Sequence, residues 1–290
     1  DQTPEGRRLP ASADLTVTTN VTVAGGATLK GTNINVETDS LLFVTSVSDG
    51  GIGGGIAIGA GTTNTTGTHH SKVDIGSNAQ FTATNDMLIS ADAESIVNGR
   101  SVMGSGGLGA GADASSNVTV NYDVKTEVNG DLTAGNLLTI ESRAFANGDA
   151  YSEADAGGLG AGANTVSNVT IGSGGEESAV SRTDIEANAD LIGKTVVIGA
   201  YVDKVRGNAY AETDVTAVGA DCDADANSFI TGLNEVRLLD GANVTGNEKV
   251  TVEAVYLKTQ NYARSDSDLD AAGGDTDSRA DVNVNTRAKV

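Results

Sequence analysis

The sequence predicts an all-β solenoid, a stack of parallel coils. Three observations predict it: a repeat of about fifty residues, a hydrophobic period of two, and a composition too poor in large side chains for a thick core. The longest internal match sets Gly106-Gly-Leu-Gly-Ala-Gly-Ala112 and Asn117-Val-Thr-Val120 against Gly157-Gly-Leu-Gly-Ala-Gly-Ala163 and Asn168-Val-Thr-Ile171. Both blocks shift by the same 51 residues, so the match is a structural register rather than Gly/Ala bias.

A second signature marks five units. An apolar anchor (Leu29, Phe81, Leu132, Leu191, Val244) is followed by a pair of apolar residues spaced by two: Ile34/Val36, Met87/Ile89, Leu138/Ile140, Val196/Ile198 and Val250/Val252. A small or polar residue then closes each unit: Thr38, Ala91, Ser142, Ala200 and Ala254. Successive anchors lie 52, 51, 59 and 53 residues apart, so the chain is read as about five repeats of 51–59 residues with loops of varying length.

The period of two identifies strands. Ala144, Ala146, Gly148, Ala150, Ser152, Ala154 and Ala156 alternate with Arg143, Phe145, Asn147, Asp149, Tyr151, Glu153 and Asp155, giving one tight face and one wet face. Ala209, Ala211, Thr213, Val215 and Ala217 repeat the inner series, with Tyr210, Glu212 and Asp214 outside. A helix would space its small residues by three and four, so the helical propensity of alanine does not decide here. Asn98-Gly99, Asn129-Gly130 and Asn147-Gly148 are expected at corners between strands.

Composition supports a thin interior. The 290 residues include 38 Gly, no Trp and only 3% aromatics, which suits close-packed walls of small side chains better than a β-sandwich, the alternative architecture, whose core needs bulk. One or two coils per repeat would give a rod about 25 to 50 Å long at ~4.8 Å per layer. Residues 1–13 are expected to form a polar N-terminal arm, and 14–290 a single repetitive module.

The net charge of −21 argues against nucleic acid and anionic membrane as partners and makes cations the expected company. The carboxylates also keep an extended surface soluble. No run of 18 apolar residues occurs, so membrane insertion is not expected. Cys222, the single cysteine, excludes an internal disulfide and falls on the inner series with Ala220, Ala224 and Ala226.

At the anchors the sequence reads Gly-Ala-Thr-Leu-Lys-Gly (26–31), Asn-Ala-Gln-Phe-Thr-Ala (78–83), Gly-Asp-Leu-Thr-Ala-Gly-Asn-Leu-Leu-Thr-Ile (130–140) and Ala-Asn-Val-Thr-Gly-Asn-Glu-Lys-Val-Thr-Val-Glu-Ala (242–254). These segments resemble the repeats of bacterial filamentous haemagglutinins and large surface adhesins, and the resemblance covers all five units. It implies a right-handed parallel β-helix, secreted or displayed on the cell surface, with adhesion or the building of a fibre or biofilm matrix as its role. Arg7-Arg8-Leu9-Pro10-Ala11-Ser12-Ala13-Asp14-Leu15 resembles a short leader motif at the head of very large bacterial surface proteins; a polar arm explains the same residues.

Three classes of function are weighed. The first is a structural or adhesive solenoid whose ends associate with like subunits or flanking repeats, since open coils expose unpaired backbone. The second is a calcium-dependent module that binds surface polysaccharide, with no other cofactor required. Its candidate ligands are Asp221, Asp223 and Asp225, and Asp266, Asp268 and Asp270, with Asp275, Asp277 and Asp281 beyond. Alternate strand residues lie about 7 Å apart, so adjacent coils would have to complete each shell, and a solvated strand face is the alternative. The third class, a polysaccharide-cleaving enzyme, needs clustered carboxylates, a poised base and aromatic platforms; these are sparse, and the chain is read as not an enzyme. Asn20, Asn64, Asn117, Asn168 and Asn243 satisfy the Asn-x-Thr pattern but are expected to be strand and turn residues. His69-His70 are expected in a lateral loop from Gly61 to Ser71.

Overall fold

The computed structural model describes residues 7–290. It is an all-β solenoid of twelve strands: β1 (Arg7–Val23), β2 (Thr28–Gly31), β3 (Ile34–Ile75), β4 (Gln80–Ala83), β5 (Met87–Val128), β6 (Asp131–Ala134), β7 (Leu137–Ile171), β8 (Ala179–Ile185), β9 (Asp190–Leu238), β10 (Asn243–Tyr256), β11 (Thr259–Ala271) and β12 (Gly274–Lys289). Each strand-to-strand ladder is parallel.

The repeat register holds throughout. The anchors stack as Leu29, Phe81, Leu132, Leu191 and Val244. Ile34, Met87, Leu138, Val196 and Val250 stack beside them. The Gly/Ala block pairs as the 51-residue match requires, from Gly106 on Gly157 to Val120 on Ile171. The longer spacing from Leu132 to Leu191 has two local causes. Residues 172–178 loop out between the pairs Val120↔Ile171 and Tyr122↔Ala179, and the corner between Ile185 and Asp190 is two residues longer than the corner it stacks on, between Val128 and Asp131.

Each repeat makes one coil, and the coil is long and flat. Strand β3 has 42 residues, but its halves face each other: Thr38 Oγ1 lies 2.7 Å from Ser71 Oγ, and Ser46 contacts Thr65. The coil therefore has three sides: a short base strand (28–31 in the first), an outgoing wall (34–54) and, beyond a narrow tip, a return wall (57–75). A wall of about 20 residues spans roughly 65 Å at ~3.3 Å per residue, whereas five layers rise only about 24 Å. The shape is a blade, wider across its coils than along its axis, rather than the expected rod.

Side-chain size tapers with the wedge. Near the base the interior holds Phe81, Met87, Leu132, Leu138, Ile140, Ile185, Leu191 and Ile198, all buried. Midway, hydroxyls bridge the walls, with Ser142 Oγ 2.9 Å from Ser181 Oγ and Ser152 Oγ 2.8 Å from Ser167 Oγ. Such pairs satisfy polar groups that a thin, dry interior could not otherwise accept. Toward the tip the filling is Ala112, Ala114, Ala154, Ala156, Ala161 and Ala163, with Met103 and Cys222.

Two expectations need correction. Asn98-Gly99 and Asn147-Gly148 lie inside walls, not at corners, because the glycines yield space to the opposite wall: a Cβ on Gly148 would stand 2.9 Å from Val169 Cγ1 and 3.2 Å from Val120 Cγ2. Tight corners occur where return wall meets base, with positive φ at Gly26, Asn78 and Gly241. Asn129-Gly130 does lie at such a corner. Of the expected N-terminal arm, residues 1–6 lie outside the described residues, while Arg7–Ala13 pair with Gly59–Thr65 as part of β1, since alternating backbone can extend the ladder there.

Candidate functional site

Stacked coils turn repeat offsets into columns, and outward columns decide what the surface offers. On the outgoing wall one column reads Val47, Arg100, Tyr151, Tyr210, Arg264. The tyrosine rings stack with centroids 5.4 Å apart and planes 28° apart. Arg100 lies 5.6 Å from the Tyr151 centroid and Arg264 5.3 Å from that of Tyr210, so guanidinium groups cover both ends of the pair.

Beside this ladder lies an open groove of about 660 Å³ lined by Tyr151, Lys204, Arg206, Asn208, Tyr210, Gln260, Tyr262, Ala263 and Arg264. Three cations line it and no carboxylate does. Asp149 and Asp266 hold its rim: Asn208 Nδ2 donates to Asp149 Oδ1 at 2.7 Å, Arg206 lies 3.7 Å from Asp149, and Arg264 lies 3.0 Å from Asp266. Lys204 stands over Phe145 at 5.6 Å, and Gln260 Nε2 donates to Tyr262 Oη at 3.0 Å. The ten aromatics are scarce overall, yet Phe43, Phe145, Tyr151, Tyr201, Tyr210 and Tyr262 all face outward on this wall. Sequence reasoning missed the cluster because a composition average hides a column. The signal was present in the spacings 100, 151, 210 and 264, which are repeat offsets.

Nearer the base the same wall carries an ion network. Arg143 forks onto Glu141 (Nε–Oε1 2.8 Å, Nη2–Oε2 3.2 Å), reaches Asp203 at 3.1 Å and lies 4.6 Å from the Tyr201 centroid; Tyr201 Oη donates to Glu253. The Tyr201 ring lies over Gly199, where a Cβ would collide with it. Asp92, on the next coil, has its carboxyl pushed up to about 6 by burial first and then by Asp39, Asp203 and Glu141. The whole cluster is a structural brace in which one guanidinium ties together several carboxylates.

The acidic candidates fall on two walls. Asp266, Asp268 and Asp270 face outward on the outgoing wall, and Asp221, Asp223 and Asp225 on the return wall. Adjacent coils do superpose carboxylates, with Asp275 on Asp221 and Asp277 on Asp223, and burial followed by repulsion from these neighbours raises the Asp223 carboxyl. Among the described residues, however, no group of three or more His, Cys, Asp or Glu side chains converges as a metal site.

The histidines are not in a loop: Gly61–Ser71 belongs to the return wall of β3, and His69 points inward. Its Nε2 lies 2.8 Å from Ser40 Oγ and its Nδ1 3.1 Å from Ser95 Oγ. Below it in the same column sit Tyr122, then Ala179 and Gly232, small residues that leave room for the buried tyrosine. Burial holds the His69 imidazole below its ordinary pKa. A base depressed in the folded state binds fewer protons there than in the unfolded chain, so stability is full above pH ~6.5 and falls as pH drops toward the depressed value. His69→Asn is therefore expected to flatten the fall in melting temperature between pH 7.5 and 5; an unchanged slope would remove His69 as its cause.

Cys222 is fully buried, and burial pushes its thiol up, so it is an interior side chain. The Asn-x-Thr residues Asn64, Asn117 and Asn168 lie within return walls and form an outward amide ladder with Asn227. Asn117 donates to Asn64 at 3.1 Å, Asn168 to Asn117 at 2.8 Å and Asn227 to Asn168 at 3.0 Å. No family model matches the chain, no curated protein matches it, and no solved structure matches it. The fold places it in the class of all-β parallel solenoids.

Proposed function

We propose that this chain is an extracellular structural and adhesive module, a solenoid of the surface-adhesin kind, whose outgoing wall holds an acidic polysaccharide. The observation that carries the reading is the groove: three cations, three tyrosines and two amides gathered on one wall of a chain whose net charge is −21. A uronate carboxylate suits Lys204, Arg206 and Arg264, sugar hydroxyls suit Asn208 and Gln260, and the open ring of Tyr262 suits the C–H face of a pyranose. The wall is flat and unroofed, a geometry for holding a long chain rather than enclosing a small molecule.

The structural half of the proposal rests on the ladder. Among the described residues the outgoing wall 34–54 has a partner only on its β5 side, and the last coil only on its β9 side. Such edges template further coils, supplied by flanking repeats or like subunits.

Polygalacturonate and neutral dextran serve as probes in affinity electrophoresis. The chain is expected to be retarded by polygalacturonate alone, less so as salt rises. Lys204→Glu combined with Arg206→Glu is expected to weaken retardation at least about tenfold, since it replaces two charge-assisted contacts with repulsion. Equal retardation of the two proteins, or none with wild type, would overturn the adhesive assignment of the groove.

A further inference from the structure

The groove opens in one direction only, and the outward columns around it set that direction. Three neighbouring columns of the outgoing wall are almost free of negative charge through all five coils. The first is the ladder of Val47, Arg100, Tyr151, Tyr210 and Arg264. Next to it stand Thr45, Asn98, Asp149, Asn208 and Tyr262, and then Phe43, Ile96, Asn147, Arg206 and Gln260. The one carboxylate among them, Asp149, is taken up inside the strip. Asn147 Nδ2 donates to it at 2.9 Å and Asn208 Nδ2 at 2.7 Å, with Arg206 3.7 Å away.

Acidic columns stand on both sides of this strip. Toward the tip the adjacent column carries Asp49, Glu153, Glu212 and Asp266, and the one beyond it Asp155, Asp214 and Asp268. Toward the base lie Glu94 and Asp203, then Asp39, Asp92 and Glu253. Arg143, the cation within that base-side bank, is committed to Glu141 and Asp203. Glu94 and Val102 mark the two flanking columns on one strand and are eight residues apart, so the banks stand roughly 26 Å from each other at ~3.3 Å per residue.

A polyanion leaving the groove along the strands therefore runs into carboxylates on either side. One that crosses the strands along the tyrosine column meets none. Negative banks on both sides confine such a chain to the strip between them, where the field is least repulsive. Along that path Arg264 is followed by the stacked rings of Tyr210 and Tyr151 and then by Arg100, which is exposed and lies 5.6 Å from the Tyr151 centroid. Arg264 and Arg100 are three layers apart, about 14 Å at ~4.8 Å per layer.

Given the polysaccharide reading of the groove, on which this direction rests, we infer that the bound acidic chain lies along the solenoid axis. It crosses the strands from the last coil toward the first, with Arg100 as a further cationic contact outside the groove. The guanidinium of Arg100 takes a uronate carboxylate, and the amides of Asn98 and Asn147 take sugar hydroxyls on the way.

The test measures polygalacturonate binding to the full chain by affinity electrophoresis. Arg100→Gln and Lys258→Gln each remove one exposed cation; Lys258 lies two residues toward the base from Gln260, where a ligand laid along the strands would reach it. Arg100→Gln is expected to weaken binding at least about threefold, and Lys258→Gln by a smaller factor. Charge can also be added: Val47 and Leu41 are both exposed on the first coil, Val47 on the strip and Leu41 in the column of Glu94. Val47→Lys is expected to tighten binding more than Leu41→Lys. Equal effects within either pair would show that only net charge is read, and a larger effect at 258 or at 41 would lay the ligand across the blade; each overturns the axial direction. Wild type that fails to bind polygalacturonate removes the groove's assignment itself, whereas wild-type binding untouched by Arg100→Gln leaves that assignment standing and removes the direction alone.

Discussion

Replacing Gly148 with leucine is expected to cost at least about 3 kcal/mol, because the opposite wall already occupies the space a side chain would need. Val169 Cγ1 lies 2.9 Å and Val118 Cγ1 3.4 Å from the position of a Cβ there. A blade two walls thick has no second layer to absorb the intrusion, and parting the walls breaks the hydroxyl bridge from Ser152 to Ser167 nearby. The effect belongs to wall separation, not to backbone conformation, since Gly148 has no positive φ. Gly148→Val paired with Val169→Gly moves volume from one wall to the other and is expected to recover more than half of the loss suffered by Gly148→Val alone. Denaturant midpoints measure both; a double variant as unstable as the summed singles would contradict the explanation.

Leu132→Ala is expected to cost about 3 kcal/mol, roughly 6–12 °C in melting temperature for a chain of this size. Leu132 is fully buried in the middle of the anchor column, between Phe81 and Leu191. The base is the part of the wedge richest in large apolar side chains, so apolar burial is concentrated there, and the cavity cannot close while continuous ladders clamp the coils above and below. Leu108→Ala, at the exposed tip, removes the same atoms and is expected to shift the melting temperature by less than a degree or two. Similar losses at both sites would show that the base is not the stabilising core.

Those contrasts follow from how side-chain size is distributed, and much of that distribution was legible beforehand. The five anchors, the apolar pairs and the alternating series from Arg143 to Ala156 take the places their spacing assigns, because a period of two in small residues admits no other packing. The fold-back within each coil was not legible. Thr38 meets Ser71 and Ser46 meets Thr65 across the blade, pairings with no local mark, and the tip around Leu108 turns on glycines that look like strand. Asn98-Gly99 carries the usual turn signal, yet its glycine serves a neighbour's bulk: a Cβ there would lie 2.7 Å from Ser116 Oγ. The groove was hidden for a different reason. Lys204, Arg206, Tyr210, Tyr262 and Arg264 are ordinary isolated residues until two coils are set one upon the other.

The layering itself can be tested on the unaltered protein by zero-length carbodiimide coupling, which joins amines to carboxylates only when they touch. Lys72 lies 2.5 Å from Glu127 and Lys194 3.2 Å from Glu248, each pair on adjacent coils and one repeat apart. Peptide mapping is expected to recover Lys72–Glu127 and Lys194–Glu248 as the main long-range products. Links that skip a repeat, or that join these lysines to carboxylates out of register, would contradict a blade built of one coil per repeat.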